Sequence, residues 1–113
     1  MNFKRALIIA LFGTAGALAT AGAASANPWD WNHPRRAEVN HRLALQDMRI
    51  NRDHRDGRIS MRQAHYLHAE DRMIRHQERF DARFDRGHIT GADQRTLNQN
   101  ENGVSRQIWR AAH

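Results

Sequence analysis

Apolar positions in this chain recur at helical spacing over three stretches, and polar punctuation separates them. In the first stretch Val39, Leu43 and Ile50 form one narrow stripe. Pro34 suits the first position of a helix, so a first helix is predicted from about Pro34 to Asn51. The charged run Arg52-Asp53-His54-Arg55-Asp56-Gly57 reads as a turn with Gly57 as a left-handed stop. A second helix is predicted from Ser60 to about Phe84, about 25 residues and so about 37 Å long. Ser60 and Gln63 form a capping-box pair at its start, and Asp85-Arg86-Gly87 ends it. A third helix starts at Thr90, paired with Asp93, and carries Leu97, Val104 and Ile108 on one stripe. Asn102-Gly103 weakens this helix by about 1 kcal/mol, yet the stripe stays in phase across it, so the helix is predicted to be continuous. These elements predict an all-α protein of three helices, either an up-down-up bundle or a more open helical hook.

The turns repeat. Gly57-Arg58-Ile59-Ser60 recurs 30 residues later as Gly87-His88-Ile89-Thr90, and Leu67 and Ile74 match Leu97 and Val104 at the same offset. Each unit reads as a glycine stop, one buried aliphatic, a hydroxyl cap and an amphipathic helix. Asp56 to Ser60 resembles the middle of an EF-hand loop. With Gly57 in the sixth position, however, Arg52, His54 and Gln63 occupy ligand positions. With Gly87 there, they are Ala82, Phe84 and Asp93. A calcium loop needs oxygen ligands at these places, so helix stops and caps explain the letters better. Ile59-Ser60-Met61-Arg62-Gln63 and Ile89-Thr90 are similar to the L-T-x-x-Q element of the Spy/CpxP group of periplasmic stress proteins. That resemblance implies a helical dimer that holds unfolded clients. Asn32 to Asn40, Asp56 to Ser60, Leu67 to Asp71, Gly87 to Thr90 and Leu97 to Ile108 together resemble a group of short exported proteobacterial helical proteins, which implies export but no particular activity.

The second helix has two distinct sides on a wheel of about 100° per residue. Tyr66, Leu67, Met73, Ile74, Phe80 and Phe84 share one broad apolar side, wide enough for a central helix that touches both neighbours. The other side carries His65, His68, Arg72, Arg75, His76, Arg79 and Arg83. Like-charged i, i+4 neighbours such as Arg75-Arg79-Arg83 each cost a few tenths of a kcal/mol. This side is read either as a solvated face partly neutralised by acids such as Asp47 or Asp53, or as an anion-binding face with arginine forks for carboxylate or phosphate.

Charge and composition narrow the setting. Lys4 and Arg5, the apolar run Ala6 to Leu18 and the small residues Ala24-Ser25-Ala26 have the order of an export signal, with cleavage expected after Ala26. Residues 1–26 are then a signal peptide, 27–33 an extended arm and 34–113 a single helical domain. No membrane span is expected once the signal is removed. Residues 27–113 hold 16 arginines and no lysine, against 12 acidic residues, with 8 histidines besides. Export makes nucleic acid an unsuitable partner for this basic surface. It favours anionic envelope components, acidic proteins or partly unfolded ones. With Cys 0 in the chain, neither a disulfide nor cysteine-held zinc can support so small a domain, which leaves room for a homodimer.

Other chemistry is sparse. His65-x-x-His68 has the spacing of a two-ligand metal pair, but its neighbours are arginines and no further ligand is evident. Met48, Met61 and Met73 are read as fillers of core gaps. Trp29 and Trp31 are expected to cap the open end of the bundle or to offer an exposed aromatic contact. Trp109, off the Leu97 stripe, is expected to meet the arm or a second subunit. No base is placed for Ser60 or Ser105, so no enzyme and no cofactor is expected. The expected function is that of an exported, non-enzymatic binding or envelope-stress protein using the basic face of the second helix. The alternatives are a periplasmic divalent-metal binder at His65 and His68, and a purely structural envelope protein.

Overall fold

The computed structural model describes residues 27–113, and the expected signal segment lies outside them. Among the described residues there is no strand. The fold is all-α, with four helices, α1 (Pro28–Asn32), α2 (Pro34–Arg55), α3 (Met61–Arg83) and α4 (Gly91–Ala112), of which the last three form a helical bundle.

The segment expected to be an extended arm is instead the short helix α1. Asn27 acts as its cap: its Oδ1 accepts from the Asp30 N–H at 3.0 Å, and its carbonyl accepts from the Trp31 N–H at 3.1 Å. Pro28 opens the turn with its φ already helical, and Asp30 sits in the first turn, where the helix dipole favours an acid. Trp29 and Trp31 are both exposed.

α2 runs one turn further than its apolar stripe suggested, because Arg52, Asp53, His54 and Arg55 remain helical. Cations in the last turn favour this end, and Asp53 is buried there. Gly57 stops the helix with φ +77°. The Arg58 N–H bonds the Asp53 carbonyl at 2.8 Å and the Gly57 N–H bonds that of His54 at 3.0 Å, a Schellman pair. At the second stop Arg86 takes the left-handed position, at φ 54°, ahead of Gly87 at φ 89°. The Gly87 N–H closes the corresponding bond to the Ala82 carbonyl at 2.8 Å. Ile59 and Ile89 are buried behind the two stops. Ser60 and Thr90 then cap α3 and α4, each with a complete capping box through Gln63 and Asp93. α4 passes through Asn102-Gly103 without a break.

The three long helices pack pairwise. Arg36 meets Glu78, Gln46 meets Asp71 and Asn51 meets His68, so α2 and α3 are antiparallel. Glu38 meets Gln94, Arg42 meets Asn102 and Arg49 meets Ser105, so α2 and α4 are parallel and touch along their length.

Each long helix buries a seam whose positions are three or four residues apart. The seams are Val39, Leu43, Gln46, Ile50 and Asp53 on α2; Ala64, Leu67, Asp71, Ile74, Glu78 and Ala82 on α3; Leu97, Glu101, Val104 and Ile108 on α4. This is the spacing of knobs-into-holes packing. The broad apolar side expected for the middle helix is therefore corrected. Leu67 and Ile74 enter the core, but Tyr66, Met73, Phe80 and Phe84 are exposed, Phe84 by 77%. Packing chooses the face with Asp71 and Glu78, whose carboxyl groups find partners on α2. Met48, Met61 and Met73 are likewise exposed rather than filling gaps.

Leu97→Ala is expected to lower stability by about 3 kcal/mol through the cavity it leaves, and Ser60→Ala by about 1 kcal/mol through loss of the cap. Urea unfolding followed by circular dichroism measures both.

Candidate partner-binding face and a buried carboxyl cluster

The seven histidines and arginines singled out on α3 divide into two rows. His68 and Arg75 turn toward α2 and converge on Asp47. His68 Nδ1 lies 3.0 Å from Asp47 Oδ1, and its Nε2 lies 2.9 Å from Asn51 Oδ1. Arg75 Nη2 lies 3.8 Å from Asp47 Oδ2. These two side chains link α3 to α2. His65, Arg72, His76, Arg79 and Arg83 form the outer row and are exposed. No ion pair engages Arg72, Arg79 or Arg83 among the described residues. The Arg83 guanidinium stands over the Phe80 ring at 5.4 Å from its centroid, and Phe80 meets Phe84 edge to face at 4.9 Å. Met73, His76, Gln77, Arg79, Phe80 and Arg83 line a shallow groove on this side.

The two histidines proposed for metal are separated by their environments. His65 faces solvent, while both ring nitrogens of His68 are engaged by α2. Among the described residues no group of three or more His, Asp or Glu is placed to hold an ion. Trp109, half-exposed, stacks on His113 at 4.4 Å.

Behind the basic row lies a cluster that apolar periodicity did not reveal. Gln46 donates to Asp71 at 2.8 Å. Asp71 Oδ2 is buried without a hydrogen-bond partner, and the pKa of Asp71 is raised to about 8. Burial is the main cause, and the neighbouring Asp47 carboxyl adds to it. Glu101, 0% exposed, is pushed up to about 9, again chiefly by burial. Arg42 opposes the shift, but its Nε stands 3.6 Å from Glu101 Oε1, and neither Glu101 oxygen has a hydrogen-bond partner. Glu78, equally buried, is clamped by Arg36 through both nitrogens of one edge of the guanidinium, and Arg36 also donates to the Gly87 carbonyl at 3.1 Å. The sequence signal for these acids was the seam itself. Once Gln46, Asp71, Glu78 and Glu101 are admitted to it, each seam runs on in steps of three and four residues.

No protein-family model matches the chain, and no curated protein or solved structure matches it either. The fold and the site together define an all-α helical bundle with a polar seam, a basic outer row and an uncovered aromatic row.

The raised acids fix the direction of the pH dependence. Unfolded, they ionise near their ordinary values of 3.8 and 4.5; folded, they hold their protons to about 8 and 9. Between those limits the folded chain binds more protons. Their contribution to stability is therefore fully present below about pH 4 and is lost as pH rises, by at most about 1.4 kcal/mol per pH unit per group. Denaturation midpoints are expected to fall from pH 5 to pH 8. Asp71→Asn with Glu101→Gln is expected to flatten that slope and to raise the midpoint at pH 8. An unchanged slope in the double variant would show that the two acids are ionised in the fold.

Proposed function

We propose that this protein is an exported, non-enzymatic binding protein of the envelope-stress kind, built as an up-down-up bundle of three long helices. It holds an acidic or partly unfolded partner against the outer row of α3. Removal of residues 1–26 would leave it periplasmic or secreted. The observation that carries the reading is the division of labour among the α3 cations. His68 and Arg75 are matched by Asp47, whereas Arg72, Arg79 and Arg83 crowd one exposed face without a matching acid among the described residues. A row of like charges that costs stability without serving the fold is better explained by a ligand of opposite charge. Arginine suits that role because its fork grips carboxylates in pairs.

The test is a titration with polyglutamate followed by isothermal calorimetry. Binding should weaken steeply with added salt, because exposed charges are screened. Replacing Arg72, Arg79 and Arg83 together by Gln should reduce affinity by about tenfold or more. The same triple change should leave thermal stability unchanged or slightly raised, since like-charge neighbours are removed. Equal affinity before and after the change would remove the outer row from any binding role.

A further inference from the structure

The exposed apolar residues of α3 follow a strict period. Tyr66, Met73 and Phe80 are seven residues apart, and Phe84 extends the row by one turn. All four are exposed, from 46% for Phe80 to 77% for Phe84. The row is about 27 Å long at 1.5 Å per residue. A seven-residue period is what a second helix requires of its neighbour, because it keeps the contact line on one side of a gently supercoiled pair. The buried seam of α3 contains the same seven-residue step, from Ala64 through Asp71 to Glu78 and from Leu67 to Ile74, so the two rows stay parallel along the helix.

We propose that the outer face of α3 is the docking site for an amphipathic helix with an acidic flank, which lies along Tyr66, Met73 and Phe80 as an added helix of the bundle. The inference rests on the acidic-partner reading and specifies the form of that partner. If the apolar row is the a position of a heptad, His65, Arg72 and Arg79 are its g row, and His76 and Arg83 fall at d. The Arg72 and Arg79 guanidinium groups therefore line one flank, and Arg83 reaches into the seam itself. A partner helix with carboxylates opposite them meets charge with charge while its apolar stripe covers the rings.

The same register disfavours a second copy. In a parallel pair d faces d, so His76 and Arg83 would oppose themselves. In an antiparallel pair g faces g, so the row His65, Arg72 and Arg79 would do so. A flat anionic surface fits less well, because the opposite flank carries Glu70 and Asp81, which would face the same negative charge. A helix can place its acids on one side only.

The probe is a synthetic peptide of about three heptads, with leucine at a and d and glutamate at e and g, whose own charges keep it monomeric. Binding is read by fluorescence anisotropy and by the gain in helical circular dichroism. The expected result is saturable binding with induced helicity, weakened about tenfold or more both by Met73→Ser with Phe80→Ser and by Arg72→Gln with Arg79→Gln. All four positions are exposed, so these variants keep the fold, and thermal unfolding verifies that. A control peptide keeps the glutamates and replaces leucine by serine. If it binds equally tightly, the acidic-partner reading stands and the docked helix is overturned. If neither peptide binds, both are overturned. The inference also fails if only phosphatidylglycerol vesicles bind, or if sedimentation shows a dimer that Met73→Ser with Phe80→Ser dissolves.

Discussion

The rotation of α3 about its own axis decides everything else in this structure. Two faces compete for the core of the bundle. One offers Leu67, Ile74, Asp71 and Glu78; the other offers Tyr66, Met73, Phe80 and Phe84. By transfer free energy alone the second would win, since each large apolar side chain gains about 1.5–3 kcal/mol on burial. Cross-helix pairing selects the first. Arg36 grips Glu78, Gln46 donates to Asp71, and Asp47 draws His68 and Arg75 toward α2. These contacts occur at successive levels along α2 and α3, so turning α3 outward would break all of them together. Packing shape agrees: the buried seams advance in steps of three and four residues on all three long helices, which lets narrow rows interlock at close distance.

This choice has a thermodynamic cost. Buried ion pairs and buried acids seldom add net stability, and their better-attested use is to specify register. Here they do so in a core that has no disulfide and no buried aromatic side chain among the described residues. Asp71 and Glu101 remain in the seam by keeping their protons, and Glu78 by taking a guanidinium partner. The fold therefore favours the acid side of neutrality, an unusual direction for a protein whose surface is rich in arginine. The two properties have separate sources, one from the seam and one from the exposed faces.

Much of the architecture was legible in the letters. The glycine stops at Gly57 and Gly87, the caps at Ser60 and Thr90, and the stripes Val39-Leu43-Ile50 and Leu97-Val104-Ile108 all follow from local rules that tertiary contacts do not disturb. The orientation of α3 was not legible, because Leu67 and Ile74 sit at the border of both candidate faces and serve either. An apolar count then gives the decision to the aromatic residues. Only the partners on α2, far away in sequence, show that Asp71 and Glu78 can be buried at acceptable cost. The site was half legible for the same reason. The cations of α3 do share one side, but separating His68 and Arg75 from Arg72, Arg79 and Arg83 required knowing where Asp47 lies. The short helix α1 was not legible because it has no apolar stripe and rests on a single local cap, Asn27.

A surface that pairs uncovered rings with unmatched arginines is the natural result of this rotation, and the proposed binding role uses what the core leaves outside. The most direct test of the rotation is a carbon-13 NMR titration of the side-chain carboxyls. Asp71, the acid that α3 carries into the seam, should titrate near pH 8. If it instead titrates near pH 4, the range of solvated carboxylates, it faces water and α3 is turned the other way.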